Sequence, residues 1–185
     1  MCAVCFLKKE MKMNHLNFKP FLPKTGQTIV YNNFDDGFHK RGFLGKNENR
    51  WLVKNIDGAE IVFDVLTGLM WPRFFNSAGC NFGNVLSWNN ALNYAENLVF
   101  AGFTDWRMPN IYELITLLDL EKLQSPTIQS CFANFPAGDF WIYSGTTRKL
   151  STDRAWGVNF YNCIIRESLS KTTPYGLICV RGGAL

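Results

Sequence analysis

Short apolar runs broken by turn formers, rather than long helical stripes, set the pattern of this chain. Between Arg50 and Trp71, three extended pieces, Trp51-Leu52-Val53, Glu60-Ile61-Val62-Phe63 and Leu69-Met70-Trp71, are separated by Asp57-Gly58 and Thr67-Gly68. That order predicts a hairpin region, because Asp-Gly and Thr-Gly supply the backbone freedom that tight turns need. The period then changes. Ala91, Leu92, Ala95, Leu98 and Val99 recur at helical spacing until Gly102, which predicts a helix over residues 88–99 with Ser87 at its N-cap. A second helix start comes at Pro109-Asn110-Ile111-Tyr112-Glu113. Here Asn110 stands at the N-cap with Glu113 three residues on, a capping box, and Leu114, Leu117 and Leu118 form the buried stripe. Pro126 and Pro136 make residues 121–139 a connecting loop. Three later runs read as strands: Phe140-Trp141-Ile142-Tyr143, Ala155-Trp156-Gly157-Val158-Asn159-Phe160 and Leu177-Ile178-Cys179-Val180. Strands, two helices and strands again predict an α+β domain with the helices beside antiparallel sheet, the first and last strands being candidates to pair.

Composition narrows this picture. The chain has 185 residues, a length that favours one well-buried core over two small ones. Pro20 and Pro23 separate a basic leader from the remainder of the chain, so residues 1–23 read as a tail and residues 24–185 as the domain. Hydrophobic residues make up 47% and charged residues 18%, which excludes a disordered chain. Sixteen Phe and six Trp point to irregular segments pinned by large rings rather than to a helical bundle. No run approaches the roughly 18 continuous apolar residues of a membrane span. The leader's apolar stretch precedes its lysines, the reverse of a secretory signal.

Charge is distributed unevenly. Residues 1–24 hold five Lys and one Glu, residues 25–139 eight basic and twelve acidic side chains, and residues 140–185 six basic against two acidic. A basic C-terminal third suits an anionic partner, and it equally suits a plain solvated surface. Neither the charge nor any motif points to nucleic acid. Of the six cysteines, Cys2 and Cys5 form a C-x-x-C, but Cys80, Cys131, Cys163 and Cys179 are scattered singly and only His15 and His39 accompany them. No second metal-ligand pair exists, so neither a metal nor any other cofactor is expected.

Five blocks then occur in order: Thr67-Gly68-Leu69-Met70-Trp71; Ser87-Trp88-Asn89-Asn90-Ala91-Leu92; Ala101 to Asn110, containing Asp105-Trp106-Arg107; Glu113-Leu114; and Cys179-Val180-Arg181-Gly182-Gly183. Together they resemble the family named for the C-terminal domain of the Legionella collagen-like adhesin, over roughly Lys24 to Gly183. The resemblance implies a C-type-lectin-like fold, akin to formylglycine-generating enzymes, with two helices flanking twisted antiparallel sheets and long loops. It also implies adhesion to sulfated polysaccharides, trimeric assembly and a secreted or cell-surface setting. By the same resemblance, members often carry a Cys in the first helix, after the Tyr, that could bridge to the Cys of the closing strand. This chain has Ala95 there, leaving Cys179 to pair with Cys163 or Cys131 or to stay a buried thiol.

Trp71, Trp88 and Trp106 are expected to meet in a common interior, while Asp105, Arg107 and Arg181 read as structural pins rather than catalytic groups. Trp88-Asn89-Asn90 resembles the calcium-binding Trp-Asn-Asp element of sugar-binding lectins, but it opens a helix and Asn90 lacks the carboxylate a hard cation favours. Ligand contact is expected in the segment between Trp141 and Tyr175, where the fold presents variable loops. It carries Arg148, Lys149, Arg154, Tyr161, Asn162, Arg166 and Lys171. Guanidinium forks match oxyanions and rings stack on sugars, although an exposed hairpin has the same composition. The preferred expectation is a non-enzymatic module for a glycan or protein surface. The alternatives are an enzyme using cysteine chemistry through Cys163 and Cys179, or a component of a receptor-binding fibre.

Overall fold

The computed structural model describes residues 22–25, 27–40, 42, 50–122 and 125–183, so the basic tail expected over residues 1–23 lies outside the described residues apart from Leu22 and Pro23. The first element is a single helical turn, α1 (Asp36–His39), capped by the Asp35 carboxylate, which accepts from the Phe38 N–H. Four strands make one sheet: β1 (Trp51–Ile56), β2 (Ala59–Asp64), β3 (Leu69–Pro72) and β7 (Arg181–Gly182), in the order β1-β2-β3-β7. Three more, β4 (Trp141–Thr147), β5 (Arg154–Asn159) and β6 (Ile164–Ser170), make a second antiparallel sheet in sequence order. Between the sheets in sequence come a 3-10 turn at Ala78–Gly83 and two helices, α2 (Trp88–Glu96) and α3 (Ile111–Ile115). The molecule is thus a small α+β fold with two antiparallel sheets.

Local chemistry explains the hairpins. Asp57 and Gly58 both take positive φ (49° and 79°), the two-residue turn whose twist matches paired strands, and Ile56 lies opposite Ala59 across it. At the next turn the buried Asp64 carboxylate accepts from the Leu66 N–H at 3.0 Å and the Thr67 hydroxyl at 2.8 Å, setting up the return of β3.

Alternation along the strands divides the interior into two apolar clusters. On β2, Val62 enters one and Ile61 the other; on β4, Ile142 enters the first and Trp141 and Tyr143 the second. Helix α3 contributes Ile111 and Leu114 to the first, and α2 contributes Ala91 and Ala95 to the second. Each helix therefore covers one face. Trp71, opposite Val62, is fully buried in the first cluster, whereas Trp106 is buried in the second and Trp88 is half-buried at its margin. The single interior expected for these three rings is in fact two: Trp71 points from β3 into the first, while Trp106, in the segment between α2 and α3, enters the second.

Four further expectations change. Helix α2 ends at Glu96 rather than residue 99, where Asn97 caps it and its side chain donates to the Asn93 carbonyl at 2.7 Å. Ser87 occupies the N-cap position without a side-chain capping bond. Strand β6 was not expected from the sequence, since Ile164, Ile165, Arg166 and Glu167 are all exposed on an edge and leave no alternation to detect. Finally, Leu177–Val180 is not a strand.

That closing segment is instead a buried thread that bonds to one element after another. Leu86 and Tyr175 exchange both backbone bonds at 2.9 Å, the Tyr143 N–H donates to Gly176, the Cys179 N–H donates to Gly79, and Arg107 and Val180 exchange both bonds. Its end, β7, pairs with β3 rather than with the first strand. Leu177 and Cys179 face the second cluster and Ile178 and Val180 the first, so the thread joins the two interiors.

Candidate functional site

The second sheet carries every basic and aromatic residue singled out for ligand contact, and its topology sorts them by end. Arg148 leaves β4, Arg154 opens β5 and Lys171 comes directly after β6, so all three lie at one end, with Lys149 in the loop between. Backbone bonds fix the grouping: the Arg148 N–H donates to Arg154 at 2.9 Å, and the Lys171 N–H to Asp153 at 3.0 Å. Tyr161 and Asn162 sit in the β5–β6 turn at the other end, roughly 17 Å away along β5. Arg166 lies between, on the edge strand. The seven residues therefore make a basic end, an aromatic turn and one linking cation.

The cations differ in how free they are. Arg148 pairs with Glu167 at 3.1 Å and Arg154 with Asp153 at 3.3 Å, both partly exposed and worth little to stability. Lys171 is held differently. Its ammonium lies 3.7 Å from the centroid of the Trp88 ring and donates to the Thr147 hydroxyl at 2.8 Å. Trp88 is itself fixed, since its indole N–H donates to the Ser144 carbonyl at 2.9 Å and its backbone N–H to the Lys171 carbonyl at 3.0 Å. Arg166 stacks 4.6 Å from the Trp141 ring centroid. Lys149 is exposed at the loop tip beside Leu150, which is 85% exposed. Such an end presents guanidinium and ammonium groups, one of them seated on the Trp88 ring, an arrangement that attracts oxyanions. Trp88 and Thr147, which hold Lys171, and the buried Trp141 beneath Arg166 were not read as supports of these cations from the sequence. Only the fold brings α2 and β4 beside Lys171 and Arg166.

The polar residues read as structural have specific partners. Asp105 accepts from Arg181 Nε at 2.7 Å and Nη2 at 3.0 Å, and the same guanidinium lies 3.7 Å from the Phe103 ring centroid. The hydrogen bond from Arg181 holds the Asp105 carboxyl below its ordinary range. Arg107 grips Glu113 in a two-pronged pair at 2.8 and 2.6 Å and also reaches the Gly182 carbonyl, and the bond to Glu113 raises the Arg107 pKa. A third pair was not foreseen from the sequence: Arg50 donates to Asp64 at 2.9 and 2.6 Å in the buried interior and stacks on Trp51.

For thiol chemistry the geometry is unhelpful. Cys163 lies in the β5–β6 turn, while Cys179 sits in the closing segment on the far side of β4. Burial pushes the Cys179 thiol up to about 12, the reverse of what an activated nucleophile needs. Among the described residues no three His, Cys, Asp or Glu side chains are placed to hold a metal ion, and no helix is long and apolar enough to cross a membrane. An apolar cleft of about 510 Å³ lies between residues 22–25 and α3, lined by Leu22, Tyr112, Ile115 and Leu118 among others. None of the seven ligand candidates borders it. Compared with known proteins, residues 60–181 match the family described as the Lcl C-terminal domain. No curated protein matches the chain.

Proposed function

The chain belongs to the Lcl C-terminal domain family, and from that premise we propose that residues 24–185 form a non-enzymatic adhesion module of C-type-lectin-like fold for sulfated or otherwise acidic glycans. The observation that carries the proposal is the Lys171 ammonium stacked on the anchored Trp88 ring, with Arg148, Lys149 and Arg154 gathered around the same sheet end. Two acids, Asp153 and Glu167, offset only part of that charge. An oxyanion meeting Lys149 and Lys171 displaces no buried partner, and the Trp88 ring holds the Lys171 ammonium in place to receive it. Arg166, Tyr161 and Asn162 extend the contact along the sheet for a longer chain. A homotrimer would repeat this end three times and gain avidity. Catalysis through Cys163 and Cys179 has less support, because a thiol as deeply buried as Cys179 offers little thiolate.

Binding of the full chain to heparin, and to the same polysaccharide after desulfation, tests the proposal. Affinity is expected to fall steeply as salt rises and to collapse on desulfation. Lys149→Glu, at an exposed loop position, is expected to weaken binding about tenfold, equivalent to about 1.4 kcal/mol. Retention indifferent to salt and sulfation would overturn the reading, as would an unaltered K149E variant. Light scattering of the same sample distinguishes a trimer from a monomer.

A further inference from the structure

Cys80 and Cys179 are about a hundred residues apart in the chain, yet a backbone hydrogen bond joins their segments, and Cys80 packs in the first cluster and Cys179 in the second. Cys80 stands in the 3-10 turn Ala78–Gly83, and this turn is tightly seated. A Cβ on Gly79 would strike the Pro72 ring, and the Tyr94 hydroxyl donates to the Ala78 carbonyl at 2.6 Å. The Cys179 N–H donates to the Gly79 carbonyl at 3.0 Å. Only the peptide unit joining Gly79 to Cys80, that hydrogen bond and one N–Cα bond lie between the two Cα atoms, which keeps them within about 7 Å. Disulfides span Cα separations up to about that limit. Both residues are 0% exposed. Their thiols also lie within electrostatic reach of each other: burial and then the neighbouring Cys179 raise the Cys80 thiol, and burial and then both cysteines raise the Tyr94 hydroxyl. Cys131 and Cys163, by contrast, are half-buried elsewhere in the fold.

From this juxtaposition we infer that Cys80 and Cys179, free thiols in this structure, form a disulfide when the chain folds in oxidising surroundings and so tie the 3-10 turn to the closing segment. The oxidant is a small-molecule disulfide such as oxidised glutathione. One cysteine thiolate attacks it and releases one glutathione thiolate. The second cysteine thiolate then attacks the mixed disulfide and releases the other. The protein loses two thiol protons and two electrons, and two molecules of glutathione thiol are formed. Because folding buries both sulfurs and holds them protonated, exchange is fast only while the site is open. The finished bridge, shielded in the same way, resists reduction. Its loop is long, so constraint of the unfolded chain makes the oxidised form the more stable one.

The full chain, refolded with and without a glutathione redox pair, provides the test. Each sample is denatured in N-ethylmaleimide and digested with trypsin. In the oxidised sample the expected product is peptide 74–107 joined to peptide 172–181, two hydrogens lighter than the sum. The thermal midpoint of the oxidised protein is expected on the order of 10 °C above that of the reduced protein. Cys80→Ala is expected to erase that difference, with both midpoints of the variant lying a few degrees below that of the reduced parent because a buried side chain is truncated. Recovery of Cys80 and Cys179 as maleimide adducts from the oxidised sample would overturn the inference. So would a cross-link from Cys179 to Cys131 or Cys163, or a redox difference in midpoint that survives in C80A.

Discussion

Two ion pairs with the same chemistry sit in opposite surroundings, and their behaviour is expected to differ accordingly. Arg50 and Asp64 are 5% and 0% exposed, so removing one partner leaves a charge in the interior with nothing to compensate it. Asp64→Ala is expected to cost about 3–5 kcal/mol, measured by urea unfolding, and it also removes the acceptor for Leu66 and Thr67 in the β2–β3 turn. Asp105, whose side chain is 58% exposed, pairs with Arg181 across solvent, and its replacement by Asn is expected to cost less than about 1 kcal/mol. The sign of its pH dependence is set by the lowered carboxyl pKa, caused first by the Arg181 hydrogen bond. Stability from this pair is fully present above the unfolded value near 3.9 and is lost as pH falls through the lower folded value. Acid titration of unfolding should therefore show the D105N variant converging with the parent once the pH has fallen below the lowered folded value. A gap that persists there would assign the loss to packing rather than charge.

At the scale of elements, α3 shows how much a short helix owes to its ends. With only five residues it has too few internal bonds to persist alone, and its capping box supplies the missing partners: the Asn110 side chain accepts from the Glu113 N–H at 2.9 Å, and the Glu113 carboxylate accepts from the Asn110 N–H at 2.8 Å. Asn110→Ala is expected to cost about 1 kcal/mol in thermal unfolding. Glu113→Ala is expected to cost more, because the same carboxylate receives the Arg107 fork. If the two variants lost equal stability, the Arg107 pair would contribute nothing. This start was legible in the sequence because every group in it lies within four residues. The edge strand β6 was not, because an edge that exposes Ile164, Ile165, Arg166 and Glu167 presents no period to read.

For the whole molecule, the closing segment decides whether the two clusters hold together. It bonds in turn to the residues before α2, to β4, to the 3-10 turn, to the residues before α3 and to β3. It also buries Leu177, Ile178 and Val180 completely. At about 1.5–3 kcal/mol for each apolar side chain, that burial rivals the entire stability of a typical domain. A chain ending at Pro174 is therefore expected to lose cooperative unfolding, seen as loss of the near-ultraviolet circular dichroism of its tryptophans. A truncated chain that kept a sharp transition would show that the sheets stand without the thread.

The amino-acid sequence by itself determined the parts governed by neighbours along the chain: the Asp57-Gly58 turn, the strands β1 to β3, the start of α2 and the capping box of α3. It also determined the set of cations in the last third, though not their arrangement. Tertiary structure alone decided that Trp71 and Trp106 enter different interiors, that Arg50 finds Asp64, that the Cys179 N–H reaches the Gly79 carbonyl and that Lys171 rests on Trp88. The reason lies in range. Turn and cap energies depend on a few adjacent dihedrals, whereas these contacts depend on which face of a strand a residue takes and on where a distant segment returns to bury it.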